Sequence, residues 1–414
     1  MTNMGLNSWN EKELKRWIET LKTEPVRCEE LTEEQIWSDE QTQIWQARRF
    51  CGSPSFYPVY RWRDYYSYSP LMLLLKKGSF DLDMKVSRLI AAEGRNYLSS
   101  AGTLDSEIKR LGGPLIPKFR IRTPEQYASA IVQALRKDIA RVEADHPNST
   151  NVILCGGKDS LNLLFLPWKN PVIVASAAPN YVLVKQFIAD HALPYDIIEL
   201  KDDDRSLLPQ EILVNFCRNN LEHCRWAPSL VQIAQNLGGK LIFWKGQIGD
   251  RRMTPHWDDY TDPPENDWVG LKRVCSVWGG RGEYWARRNL KKWGITQRRT
   301  FRAFWDRGAM WQGAHMSIQR QLTGALTLST YHGKEMRRVV EQVDFNRAVP
   351  YDIRPLIGEL LYGGPVRYPA NNPSPPPSTI RRGFSHLQPF LDVLKFVGIP
   401  VNDRKKHILL GPDS

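Results

Sequence analysis

Cysteine is scarce and scattered in this chain of 414 residues: Cys28, Cys51, Cys155, Cys217, Cys224 and Cys275, with no CxxC pair among them. That excludes a disulfide framework and the paired thiols of redox motifs, so reduced thiols are expected. Cys217, His223 and Cys224 lie close together but lack a fourth ligand at zinc spacing, and they read as packed thiols. No apolar run is long enough to span a bilayer. The opening "MTNMGLNSWNEKELKRW" lacks the apolar core of a signal peptide. The expectation is a cytoplasmic protein without a membrane partner. The Walker pattern GxxxxGK[ST] and the dinucleotide pattern GxGxxG are both missing, which excludes the two commonest glycine-rich phosphate loops. No internal repeat marks a solenoid.

What is present is an ordinary globular composition, 42% hydrophobic and 25% charged, on a chain long enough for two or three domains. The formal net charge of +12 favours anionic partners: nucleotides, RNA or an acidic protein. Tryptophan is frequent, at 15 residues, and many of these lie near arginines. The basic, aromatic stretches at 56–68 and 278–307 have the residue types that stack on RNA, and equally those that anchor protein interfaces.

Residues 1–118 read as a region of unassigned fold, mainly helical. Within it "SPSFYPVYRWRDYYSYSP" reads as a loop or irregular strands, and "LMLLLKKG" as a short buried element. A clear helix begins at "TPEQ", where Thr123 can cap, Pro124 suits the first position and Gln126 completes a capping box. Tyr127, Ile131, Leu135, Ile139 and Val142 fall on one face of it. An alternation follows. "NVILC", "PVIVAS", "YDIIEL" and "KLIFWKG" are strands. "KDSLNLLFL", "NYVLVKQFIADHAL", "PQEILVNFCRNNL" and "APSLVQIAQNLG" are helices. This order predicts an α/β fold, a parallel sheet of four or five strands with helices on both faces and "NVILC" central. Such sheets bind ligands at the carboxyl ends of their strands. After residue 260 the strand signal fades and "RGEYWARRNLKKWG", "RAFWDRGAMWQGAHMSIQRQL" and "GKEMRRVVEQV" read as helices. Residues 119–365 form the expected central domain, and 366–414 a Pro-rich linker with a short helical tail.

The stretch "NVILCGGKDS" carries the chemistry. Gly156 and Gly157 leave a strand, allow positive φ and let a ligand approach the backbone. The amides that follow suit a phosphate. Asp159 would repel that phosphate unless it holds a magnesium ion bridging carboxylate and phosphate oxygens. Ser160 can donate to phosphate. Downstream, "KLIFWKGQIGDRR" sets Gly246, Gly249 and Asp250 behind a second strand.

"CGGKDS" resembles the SGGxDS pyrophosphate loop of the ATP pyrophosphatases (PP-loop enzymes), with Cys155 where serine is usual. "GQIGD" is similar to the SGxGxDE segment of the asparagine synthetases, with Arg251 at the acidic position. The "LTLSTYHGKEMRRVVEQVDFNRAVPYDIRPLIGELLYG" segment resembles the synthetase stretch around "PFLDHRLVEFA". The resemblance covers about residues 120–365. It implies an adenine nucleotide alpha-hydrolase-like fold. It also implies ATP on Cys155, Gly156, Gly157, Lys158, Asp159, Ser160, Gly246 and Gly249, with Mg2+ on Asp159 and Asp250. The implied reaction adenylates a carboxylate, releases pyrophosphate and transfers the acyl group to an amine. Lys245, Lys334 and Arg347 are the expected catalytic cations, with Lys158 and Arg338 further candidates. His256, Asp258 and Asp259 are candidates to touch the acceptor, and Asp202, Asp203 and Asp204 read as a solvated loop. With Thr2 where the glutaminase nucleophile stands in asparagine synthetases, and about 115 residues before the helix, a synthetase domain without a glutaminase domain is expected. The amine is then ammonia or an amine donor, supplied by a partner protein or peptide or by the acceptor itself. A PP-loop tRNA-modifying enzyme and a degenerate, synthetase-like binding protein are the alternatives, and RNA is the weaker expectation of a partner.

Overall fold

The computed structural model describes residues 24–38, 44–52, 59–68, 70–82, 105–111, 118–200, 227–246, 249–255, 320, 323–369 and 398–400. Cys217, His223, Cys224, Asp202 to Asp204, His256, Asp258, Asp259, the helices expected at 209–221, 281–294 and (but for Arg320) 302–322, and the C-terminal tail helix lie outside them.

The long helix forms where its caps say it should. Helix Pro124–Asp145 is capped by the Thr123 hydroxyl, which accepts from the Gln126 amide. The Gln126 side chain reaches one residue further back than a capping box requires, accepting from the Arg122 amide at 3.2 Å. Its apolar face, Tyr127, Ile131, Leu135, Ile139 and Val142, is buried.

In chain order the strands are β1 (Val26–Thr32), β2 (Trp45–Cys51), β3 (Tyr60–Trp62), β4 (Tyr65–Ser67), β5 (Lys109–Arg110), β6 (Thr150–Leu154), β7 (Val172–Ala177), β8 (Asp196–Leu200), β9 (Leu241–Lys245) and β10 (Leu326–Ser329). The helices are α1 (Glu33–Ser38), α2 (Pro70–Lys77), α3 (Pro124–Asp145), α4 (Lys158–Leu161), α5 (Asn180–Asp190), α6 (Ala227–Leu237), α7 (Gly249–Met253), α8 (Lys334–Val340), α9 (Phe345–Ala348) and α10 (Arg354–Tyr362).

The second half of the strands forms one five-stranded sheet, β10-β9-β6-β7-β8, parallel throughout, with β6 at its centre. Neighbouring residues of each strand serve opposite faces. Ile153, Val174, Ile242, Trp244, Leu326 and Leu328 pack with α3, α5, α8, α9 and α10. Val152, Ala175, Leu241 and Phe243 pack on the other side with Leu230 and Ile233 of α6. Helices therefore cover both faces, and all five strands point their carboxyl ends the same way.

Two expectations are corrected. The described residues before 118 are not mainly helical: they hold a mixed five-stranded sheet, β1-β2-β4-β3-β5, and two helices of 6 and 8 residues. Its strands are 2 to 7 residues long and carry exposed Arg48, Arg49 and Arg61 beside buried aromatics, so their alternation is too brief to read. The strand signal also does not end at 260. Leu326–Ser329 is a fifth strand, buried at all four positions and paired with β9. Four consecutive buried residues show no period, and that hides the strand.

No described helix is long and apolar enough to cross a membrane.

Candidate functional site

The chain leaves β6 through Cys155, Gly156 and Gly157 and enters α4 at Lys158. Neither glycine is in the left-handed region, so the turn does not depend on a dihedral that only glycine adopts. A Cβ on Gly156 would meet only the Asn180 amide nitrogen, at 4.0 Å. The loop is braced from within. The Ser160 hydroxyl accepts from the Gly156 and Gly157 amides at 3.0 and 3.3 Å and donates to the Gly157 carbonyl at 2.9 Å. Its proton is thus committed to the loop itself. Cys155 turns into the core, with its thiol 3.7 Å from the Ser160 carbonyl and its pKa pushed up to about 12 by burial. Burial thus favours the protonated thiol at neutral pH.

The second glycine turn interlocks with the first. β9 ends at Lys245, beside Leu154 of β6, and Gly246 follows directly. A Cβ on Gly246 would stand 2.8 Å from the Ser160 amide nitrogen, and one on Gly249 would stand 2.7 Å from the Asp159 Cβ. Only glycine allows this approach. The result brings Asp250 to Asp159 across 91 residues: the Asp250 backbone amide donates to Asp159 Oδ2 at 2.9 Å. Burial first, and the Asp250 charge second, push the Asp159 carboxyl up to about 7, against a downward pull from Arg354. The Asp250 charge beside the buried Asp159 carboxyl makes this a candidate site for a cation.

Arg354 already supplies one charge. Its Nη1 donates to Asp159 Oδ1 at 3.1 Å, while Nε and Nη2 hold the two oxygens of Asp352 at 2.8 and 2.7 Å. Those bonds outweigh burial and keep Asp352 below the usual carboxylate range, and the nearby Lys158 adds to the effect. Sequence reading missed Arg354. The signal was there: an arginine at the start of a helix, in "DIRP", opposes the helix dipole and needs a reason to be in that place.

The expected cations divide. Lys245 is buried at the sheet's carboxyl edge, where its carbonyl accepts from the Thr330 hydroxyl. Lys334 instead pairs with Glu34 of α1 at 2.7 Å, and Arg347 lies 3.7 Å from Asp344 with a largely exposed side chain. Arg338 pairs with Glu335. Tyr331 also reaches the loop, its hydroxyl donating to the Asp159 carbonyl at 2.9 Å. At the end of the neighbouring strand β7, Ser176 Oγ and Asn180 Oδ1 are buried without a hydrogen-bond partner. Both were unremarked in the sequence; Asn180 is the first residue of the helix after a strand end.

Among the described residues no group of three or more His, Cys, Asp or Glu gathers for a metal. Two carboxylates are a poor zinc or calcium cage, but they suit Mg2+, which takes one or two carboxylates and completes its shell with phosphate oxygens and water. The donor set fits that ion.

The chain matches no protein-family model and no curated protein.

Proposed function

We propose that the chain is an ATP-dependent, AMP-forming ligase of the asparagine synthetase type. It adenylates a carboxylate and passes the acyl group to ammonia or another amine. The observation that supports this best is the pairing of Asp159 with Asp250 where β6 and β9 end, each behind a glycine turn, with the Asp250 amide on Asp159 Oδ2. Strand ends of a parallel sheet are where such folds do their chemistry.

In this reading the triphosphate lies along Gly156, Gly157 and Gly246, and the nucleoside lies toward β7, where Ser176 and Asn180 have polar atoms to satisfy. Mg2+ bound by Asp159 and Asp250 would offset charge on the pyrophosphate. The substrate carboxylate attacks the α-phosphorus, an O–P bond forms, and the bond to the β-phosphate breaks with its electrons leaving on pyrophosphate. The amine then attacks the acyl carbon and AMP departs. In this reading Arg354 and Lys245 would stabilise the departing charge; Lys334 pairs with Glu34, and Arg347 lies beside Asp344.

Pyrophosphate release at limiting Mg2+ tests this. Asp159→Asn and Asp250→Asn are each expected to lose it by about a hundredfold or more, with melting temperature retained. Wild-type release by both variants would refute the assignment.

A further inference from the structure

We propose that Arg354 couples cation binding at Asp159 to the arrival of a phosphate, so that the site takes a divalent metal together with a phosphorylated ligand and disfavours the metal alone. This rests on the reading of the site given above.

Both oxygens of Asp159 are engaged: Oδ1 by Arg354 Nη1 and Oδ2 by the Asp250 amide. Arg354 is not a loose side chain that drifts in from solvent. Two parallel bonds to Asp352 set the plane of its guanidinium, and the Arg354 amide itself donates to Asp352 Oδ1 at 3.1 Å. Its backbone is tied to the loop region as well. The Arg354 carbonyl accepts from the Asn162 side-chain amide at 2.9 Å and from the Tyr368 hydroxyl at 3.1 Å. The preceding Ile353 amide donates to the Met253 carbonyl of α7 at 2.9 Å. The guanidinium therefore stays beside Asp159 whether or not a ligand is present.

A bare divalent cation approaching Oδ1 meets this fixed positive charge at hydrogen-bond range and breaks its bond to the carboxylate. Repulsion and the lost bond both oppose it. A phosphate changes the balance. One of its oxygens gives Nη1 a new acceptor, and others complete the metal's shell. Metal and phosphate thus favour each other at the site, and by linkage the coupling is reciprocal. The side chains of Arg354 and Asp159 are 18% and 20% exposed, so the exchange is open to ligands from solvent.

The experiment measures Mn2+ binding by the full chain, by calorimetry or electron paramagnetic resonance, with and without α,β-methylene ATP. For the wild type the analogue is expected to raise Mn2+ affinity by about tenfold or more. In Arg354→Gln, Mn2+ alone is expected to bind about fivefold more tightly than to the wild type, and the enhancement by the analogue shrinks. Arg354→Lys keeps the charge without the fork and is expected to hold Mn2+ alone as weakly as the wild type does. If the Lys variant gains as much as the Gln variant, lost packing rather than lost charge frees the site, and the proposal fails. It also fails if the Gln variant binds Mn2+ no better than a wild type that does bind it. If no protein binds Mn2+ or the analogue, the nucleotide reading of the site falls, and this proposal with it.

Discussion

His332 is buried at the end of β10, and neither ring nitrogen has a hydrogen-bond partner. Burial first, then the charges of Arg252, Arg110 and Arg337, hold its pKa well below the usual value near 6.5. Glu33 and Glu341, which act on Arg337, are the acids of that neighbourhood. The folded state keeps this imidazole neutral while the unfolded chain protonates it. Stability is therefore lost as pH falls below about 6.5, by at most about 1.4 kcal/mol per pH unit. Asp138 has the opposite effect. Burial raises its pKa to about 6, so its ionisation disfavours the fold as pH rises from about 4 to 6. Denaturant melts of wild type and His332→Gln between pH 5 and 7.5 separate the two: the variant is expected to show a shallower acid loss. Parallel curves would show that His332 does not titrate as described. At the same scale, Lys334→Ala breaks only the half-exposed pair with Glu34. It is expected to cost less than about 1 kcal/mol and to leave pyrophosphate release near wild type, unlike Arg354→Met.

At the scale of elements, two glycine turns from strands 91 residues apart close on each other. Gly246→Ala places a methyl against the Ser160 backbone, and Gly249→Ala places one against Asp159. Each is expected to lower stability by about 1–3 kcal/mol. Each also displaces Asp159, so nucleotide affinity should fall further than stability alone explains, as a thermal melt beside a binding titration would show. The first strand–turn–helix, the central place of β6 and the five buried face residues of α3 were legible in the sequence, because caps, glycines and period speak locally. β10 was not, since four buried residues in a row carry no period. Helix "KDSLNLLFL" was half legible: it makes one α-turn, Lys158–Leu161, then a 3-10 turn, Asn162–Phe165. Arg354 was legible only as an arginine out of place at a helix start, because its partner Asp159 lies 195 positions away.

At the scale of the molecule, the N-terminal sheet is joined to the α/β unit through one continuous core that includes Leu31, Ile36, Trp45 and Tyr66 alongside α3 and α8. Glu34 bridges to Lys334 and Arg141 across that seam, and Arg320 donates to the Ile36 carbonyl. The net charge of +12 keeps an anionic partner in view. Within the described part of the first basic, aromatic stretch, residues 59–68, Trp62 and Tyr65 are engaged with the chain's own groups. Trp62 stacks on Tyr65, Arg63 lies 4.7 Å over Trp62, and Lys76 lies 5.2 Å over Tyr65. Binding of tRNA through 59–68 is therefore expected to come from phosphate contacts, to fade steeply with salt and to leave ATP cleavage unchanged.

In the proposed function, the carboxylate pair and the braced glycine loop at the strand ends support cleavage of ATP between its α- and β-phosphates. The most direct measurement is the identity of the nucleotide products when purified protein, Mg2+ and ATP meet a panel of carboxylic acids and ammonia. AMP and pyrophosphate are expected in equal amounts, dependent on Mg2+ and on one class of acid, and lost in Asp159→Asn. ADP with inorganic phosphate as the products, abolished by the same substitution, would contradict it.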